Sequence, residues 1–417
     1  MRFEHRAPSG SFGLLTETPM PNPYLPTETL DHTVDLLQND ADTLEQCCLV
    51  SKSWVPRTRR HLFANIKFHR PSDLERWKER FPDAANSPAY YTRTLLVHCS
   101  HPITASGTED GDWIRAFSRV RRLDMNNGKQ FLGASGVSLA PFHKFSPTLK
   151  SLHVGFTLIP HSGIFDLICS FPLLEDLSLE GHDRWFGGDD PRESQTVTRL
   201  ISPALTGSLD FHTLGVVGKI ARQLLDLPNG LHFRTLTLSW NQKTDLSWIT
   251  ELVVKCSHTL ESLDIAYAPG RTFVCICTPI RSLTLSQVWT FSPSGSFDLS
   301  KATKLRDLVF RSGWRTAEWI TPTLQTITPE HQELQQISIC VPSWLGSYGS
   351  KIKQSLGEAA LGRWLDLDRL LLQFWEVHLV LPKVECASME GQEQIAKDCI
   401  GCLFPEVTKS GVVDLGR

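Results

Sequence analysis

Apolar residues recur along this chain with two different periods. From Leu25 to about Phe68 the period is helical: Leu30, Val34 and Leu37 align at helical spacing while Glu28, Asp31 and Asp35 fall on other faces. Pro26 suits the first turn of that helix, where a missing N–H costs nothing. Asn39 and Asp40 break the pattern, and a second apolar segment runs through Leu44, Cys47, Cys48 and Val50 to Trp54. Pro56 marks a boundary, because proline disfavours helical backbone in the residue before it.

Beyond residue 90 a hexapeptide of the form apolar-x-x-apolar-x-apolar takes over. It occurs as VRRLDM at 120, LKSLHV at 149, LEDLSL at 174, FHTLGV at 211 and FRTLTL at 233, then as LESLDI at 260, IRSLTL at 280, LRDLVF at 305, LQQISI at 334 and LDRLLL at 367. TRTLLV at 92 is a weaker first member. The mean step is about 27 residues, inside the roughly 20 to 29 of leucine-rich repeats, although individual steps run from 20 to 37. Helix-like stretches such as GIFDLICSFP and DLSWITELVVKCSH separate the hexapeptides. The array therefore resembles a leucine-rich-repeat solenoid, with one short parallel strand and one helix per unit. Its fourth and sixth positions should face inward, and neighbouring units must stack to bury them. The ninth position, Asn or Cys in regular repeats, is Asn only at Asn241, which predicts an irregular array with uneven loops.

The helical stretch carries a second resemblance. LPTETLDHTVDLLQNDADTLEQCCLVSKSWVPRTRRHLFANIKF resembles an F-box, with the pattern falling on Leu25, Pro26, Glu28, Leu30, Val34, Leu37, Cys47, Leu49, Val50, Ser51, Lys52 and Trp54. Thr29 and Thr33 depart from it, standing where that family usually carries Leu or Ile. WITPTLQTITPEHQELQQISI, LDRLLLQFWEVH and DCIGCLFPEVTKSGVVDL extend the likeness to the large F-box group of mushroom-forming fungi. The resemblance implies an α/β chain with these parts: a flexible leader over 1–23, an F-box-like helical module over 24–68, a linker helix region over 69–90, the repeat array over 91–385, and a C-terminal cap over 386–417. It further implies that Leu25, Pro26, Leu30, Val34, Leu37, Val50 and Trp54 bind a Skp-type adaptor of a cullin-RING ubiquitin ligase, while the repeats hold a target protein. A repeat scaffold whose degenerate F-box joins no ligase is the alternative, and Thr29 and Thr33 are what favour it.

Charge changes this picture little. Forty-two Lys and Arg balance 45 Asp and Glu to a net −3, so no overall field draws the chain to nucleic acid or an anionic membrane. The proline- and charge-broken N-terminus does not read as a signal peptide, and Leu370 to Leu381 is too short to span a bilayer. Eleven unevenly spaced cysteines read as reduced thiols, which together place the chain in cytoplasm or nucleus.

Chemistry is sparse. CIGC at 399–402 has the spacing of half a zinc site, but neither a second CxxC nor a His pair accompanies it, so no metal or cofactor is expected. Asp189, Asp190 and Glu193 read as a solvated insertion, and no Walker, GxGxxG, GxSxG or HExxH motif occurs. No catalytic residue is assigned. Trp240, Trp289, Trp314 and Trp344 follow their hexapeptides, and Trp185 sits in a longer loop. Such tryptophans either rim a recognition surface, as hot-spot residues do, or plug gaps between uneven repeats. The third and fifth positions, Arg122 and Asp124, Ser151 and His153, Asp176 and Ser178, Thr235 and Thr237, Ser262 and Asp264, Ser282 and Thr284, should line the outward sheet face.

Overall fold

The computed structural model describes residues 27–98, 114–126, 142, 145, 147–156, 161–182, 203–214, 217–240, 247–267, 297–311, 317–340, 358–374, 377–380, 398, 400–410 and 413–414. The chain divides into two compact units, 1–63 and 64–417.

The first unit is three helices, α1 (Thr27–Leu36), α2 (Ala41–Val50) and α3 (Val55–Leu62). Asp40 ends the break after α1 and caps α2: its Oδ1 accepts from Thr43 N at 3.1 Å and its Oδ2 from the Thr43 hydroxyl at 2.7 Å. That cap satisfies one of the orphan donors of the first helical turn. Pro56 falls in the first turn of α3, where its missing N–H costs nothing, although Val55 before it is already helical. Val34, Leu44, Cys47 and Thr58 are buried. Asp35 on α1 takes the Arg57 guanidinium through both oxygens and His61 Nε2 at 2.7 Å, which ties α3 to α1. The Arg57 contact, joined by His61 and opposed by desolvation, holds the Asp35 carboxyl well below its ordinary range.

Among its described residues, the second unit forms one parallel sheet of twelve strands in strict chain order. They are β1 (Asn65–Phe68), β2 (Thr94–His98), β3 (Arg122–Asn126), β4 (Ser151–Phe156), β5 (Asp176–His182), β6 (Ser208–Leu214), β7 (Thr235–Trp240), β8 (Ser262–Tyr267), β9 (Asp307–Arg311), β10 (Gln336–Cys340), β11 (Val377–Val380) and β12 (Val413–Asp414). Between them run α4 (Pro71–Arg80), α5 (His161–Cys169), α6 (Val217–Leu225), α7 (Ser247–Cys256), α8 (Ala317–Leu324) and α9 (Glu358–Leu371), with α10 (Pro405–Ser410) before the last strand. The alternation of strand and helix with in-order parallel pairing is a leucine-rich-repeat-like α/β solenoid. β8 pairs directly with β9, so the array steps from the 260 hexapeptide to the 305 one; the hexapeptide at 280 lies outside the described residues. The sheet starts earlier and ends later than the 91–385 bounds, because β1 and β12 belong to it.

Inward rows run unbroken across the register. Leu95, Leu123, Leu152, Leu177, Leu209, Leu236, Leu263, Leu308, Ile337 and Val377 form one, and Val97, Met125, Val154, Leu179, Phe211, Leu238, Ile265, Phe310, Ile339 and Leu379 the next; all are buried. A backbone device sets this register at the starts of β2 to β5 and β7 to β10. One carbonyl accepts two N–H groups from the next repeat: Arg121 O from Lys150 N at 2.8 Å and Ser151 N at 2.9 Å, and Lys150 O from Glu175 N and Asp176 N at 2.8 and 2.9 Å. The same doubling recurs at Gly207, Arg234, Glu261 and Arg306.

Two hexapeptides are corrected. The frame of FHTLGV at 211 put Leu214 and Val216 inward, whereas Leu209 and Phe211 align with Leu177 and Leu179. The stretch SLDFHTL offers both frames, and pairing with β5 selects the earlier one. LDRLLL at 367 is not a strand but the end of α9, whose buried Ala360, Trp364, Leu367, Asp368 and Leu371 keep helical spacing. The strand of that repeat is β11.

β6 also starts irregularly. Leu205 is fully buried with left-handed backbone, φ 43°. The Asp176 side chain then replaces a backbone acceptor, taking Ser208 N at 2.7 Å and the Ser208 hydroxyl at 2.8 Å. Gly207 leaves room for that carboxylate: a Cβ there would stand 2.2 Å from Asp176 Oδ1 and 3.2 Å from Glu175 O. Gly207→Ala must push Asp176 off Ser208 and is expected to cost roughly 1.5 to 3 kcal/mol, the worth of a hydrogen bond to a charged group. A urea midpoint equal to the parent's would contradict this account of β6.

Candidate functional site

Two surfaces present chemistry, one on each unit. On the helical unit, the large apolar side chains facing solvent are Leu36, Leu49 and Val50, exposed by 72, 80 and 71%. They lie at the ends of α1 and α2. Of the residues expected to bind an adaptor, Val50 is one of these three, and Leu30, Leu37 and Trp54 are half-buried. Val34 is corrected: at 1% exposure it is core and has no surface to offer. Leu25 and Pro26 lie outside the described residues. The helical period allowed either Leu36 or Leu37 to face out, which is why Leu36 went unread. Thr29 and Thr33 are exposed, and the Thr33 hydroxyl donates back to Thr29 O at 2.9 Å, a satisfied arrangement within the helix.

On the repeat unit, the outward sheet face carries a chain of polar contacts across five strands, β3 to β7. From β3 to β8 the described third and fifth hexapeptide positions are half-exposed, as alternation requires, apart from the exposed Arg122, while Ser282 and Thr284 lie outside the described residues. His153 Nε2 on β4 stands 3.8 Å from Asp124 Oδ1 on β3, and its Nδ1 is 2.8 Å from Ser178 Oγ on β5. Ser178 donates onward to Asp210 Oδ2 on β6 at 3.4 Å. Asp210 Oδ1 in turn lies 2.9 Å from His212 Nε2, an ion-pair distance without the alignment of a hydrogen bond. Ser239 donates to Phe211 O at 2.9 Å, so His212 Nδ1, 3.4 Å away, must carry the proton toward Ser239 Oγ. A carboxylate on the other ring nitrogen then favours the doubly protonated ring. Contact with Asp210 raises the His212 pKa above its ordinary value against desolvation, with Glu180 and Asp264 adding to the rise.

Further along, Arg311 Nε on β9 donates to both oxygens of Asp264, at 3.0 and 2.8 Å. Burial nevertheless raises the Asp264 carboxyl, with Arg311 opposing. Asp124, Ser178 and Asp264 were legible as outward positions, whereas Asp210, His212 and Arg311 were hidden by the misread frame at 211 and by lying outside the third and fifth places. The Asp–His–Ser order of Asp124, His153 and Ser178 has the outline of a nucleophilic relay. Ser178, however, gives its proton to Asp210, so it is a link in a chain of hydrogen bonds.

The expected target-binding tryptophans contribute little to this description. Trp240 closes β7, while Trp289, Trp314 and Trp344, like Trp185, Asp189, Asp190 and Glu193, lie outside the described residues. Cys402 is half-buried, and Cys399 is outside the described residues. Burial pushes the Cys169 and Cys256 thiols up to about 12, so both stay protonated and unreactive at neutral pH. Among the described residues no helix is long and apolar enough to cross a membrane.

No family model matches the chain, and no curated protein does. Among solved structures it is similar to the leucine-rich repeat-containing protein LegL7 from Legionella pneumophila, at 10% identity and a TM-score of 0.35, over 82% of this chain and 97% of that one. The repeat assignment rests on the sheet itself: in-order parallel strands, inward apolar rows and helices between them.

Proposed function

We propose that this chain is the substrate-recognition subunit of an SCF-type cullin-RING ubiquitin ligase, working in cytoplasm or nucleus. The helical unit binds the Skp-type adaptor and the repeat sheet holds the protein to be modified. What carries the reading is the exposed apolar trio Leu36, Leu49 and Val50 on a three-helix unit that coincides with the F-box resemblance. Fully exposed Leu and Val side chains in one small unit cost free energy in water, and a partner groove would recover roughly 1.5 to 3 kcal/mol from each. No catalytic group is needed in this chain. Tethering a target beside the ubiquitin carrier raises its effective concentration, and transfer belongs to other subunits.

The alternative is a repeat scaffold that joins no ligase. It is favoured by exposed Thr29 and Thr33, which put hydroxyls where the F-box pattern has apolar contacts. Co-purification of the full chain with a Skp-type adaptor separates the two. Under the ligase reading the parent chain captures the adaptor, and Leu49→Asp lowers capture by about tenfold or more while helical content is unchanged. Equal capture by Leu49→Asp would move the docking face elsewhere, and failure of the parent chain to capture adaptor would leave the scaffold.

A further inference from the structure

The outward sheet face is unevenly charged. Along β3 to β9 its described positions bring Asp124, Asp176, Glu180, Asp210, Asp264 and Asp307 together against the fixed cations Arg122 and Arg311. The middle of this face has a particular layout. Thr237 on β7 is in register with Asp210 on β6 and with Asp264 on β8. Strands lie about 4.8 Å apart, so two carboxylates roughly 10 Å apart flank one short side chain. Thr235 and Ser239, next on the same face of β7, are also short. Asp210 Oδ1 is shielded from water, and its near neighbour His212 Nε2, 2.9 Å away, is not aligned to donate a hydrogen bond to it. The face is open to a partner: the side chains of His212 and Arg311 are 52 and 58% exposed.

We propose that this gap over Thr237 receives a lysine or arginine side chain from an extended segment of the target protein, and that the His212 imidazolium competes with it for Asp210. The proposal rests on the repeat sheet being the target-binding surface, but not on the helical unit binding an adaptor. Charge complementarity selects the occupant. Nucleic acid is repelled by these carboxylates, and among the described residues no group of His, Cys, Asp and Glu is arranged to hold a metal ion. A long cationic stem reaching over Thr237 supplies the aligned donor that Asp210 Oδ1 lacks, while Asp264, already held by Arg311 through both oxygens, adds its charge from the other side.

The competition gives the site a pH dependence. The charged groups facing His212 are Glu180 on β5, Asp210 on β6, Asp264 on β8 and, beyond it, Arg311 on β9, with His153 linked to Asp210 through Ser178. Below its raised pKa, His212 is an imidazolium that neutralises Asp210. As pH rises through that value the charge is lost, Asp210 is released, and capture of the cation strengthens. By linkage, a bound cation must lower the His212 pKa.

The test uses the full chain and a labelled peptide of alternating Lys and Ser, with Gln/Ser and Glu/Ser peptides as controls, followed by fluorescence anisotropy. The Lys peptide should bind and the controls should not. Asp210→Asn and Asp264→Asn should each weaken it about tenfold, and Asp226→Asn, remote from the face, should leave it unchanged. Thr237→Lys keeps every carboxylate but fills the gap with a tethered cation, so it should abolish binding even if an Asn variant folds poorly. Affinity should rise from about pH 6 to about pH 8 in the parent and be flat in His212→Gln. Equal binding of Lys and Gln peptides, or undiminished binding by Thr237→Lys, overturns the proposal. Adaptor capture measured on the same samples reports separately on the ligase reading, which stands or falls without this one.

Discussion

Replacing Asp368 with alanine is expected to destabilise the C-terminal end of the array by roughly 3 to 5 kcal/mol. Asp368 is fully buried near the end of α9. Its two oxygens accept from Glu406 N at 2.9 Å and Val407 N at 3.0 Å, the first turn of α10, some 38 residues away along the chain. A short helix cannot hold itself together in water, so α10 depends on what docks it. Here the anchor is this double acceptor, beside the edge-to-face pair Trp364 and Phe404, whose ring centroids are 5.3 Å apart. Alanine would remove both bonds and strand two backbone donors. Because each repeat contacts its neighbours, the loss should stay local. Hydrogen exchange would show protection falling over 400–410 and α9 while β4 to β7 keep theirs. Unchanged exchange at 400–410 would mean that apolar packing alone docks α10.

A comparable cost, roughly 3 to 5 kcal/mol, is expected for Phe211→Ala. Phe211 is fully buried in the second inward row and meets Trp248 of α7 edge-to-face, with centroids 5.8 Å apart. Its removal leaves a cavity in mid-array, between sheet and helix, that rigid neighbours on both sides cannot collapse. Thr235→Ala on the outward face of the adjacent strand should change stability by less than about 0.5 kcal/mol. Urea unfolding followed by tryptophan fluorescence compares the two. If the two variants unfolded alike, the inward and outward rows would be assigned wrongly.

The strand frames at 120, 149, 174, 233, 260, 305 and 334 were readable because their first, fourth and sixth positions are apolar and the residues between, Val309 excepted, are polar. Legibility failed where the local pattern satisfied two periods at once. At 211 two overlapping frames were available, and only the partner strand β5 distinguishes them. At 367 a run of three leucines fits a strand, but the preceding EAALGRWLD carries the same face onward as a helix. β1 and β12 were missed because NIKF and VD are too short to show any period. The sheet-face network was half-legible: alternation places Asp124, His153, Ser178 and Asp264 outward, but which of them touch depends on register between strands 25 to 47 residues apart. Asp368 was unreadable in principle, since an acid at a buried helical position becomes intelligible only when the distant α10 arrives to donate to it.

The one-carbonyl, two-donor bonding that begins most of the strands also shapes how the array would answer a mechanical load. Among the described residues every strand after the first pairs with the one before it, and none bridges two non-adjacent strands. Pulled by its ends, such a stack has no single clamp that must break before the rest yields. Strands would peel singly from an end, each surrendering about 27 residues of slack, and a repeat torn away could be laid back on an intact template when the tension fell.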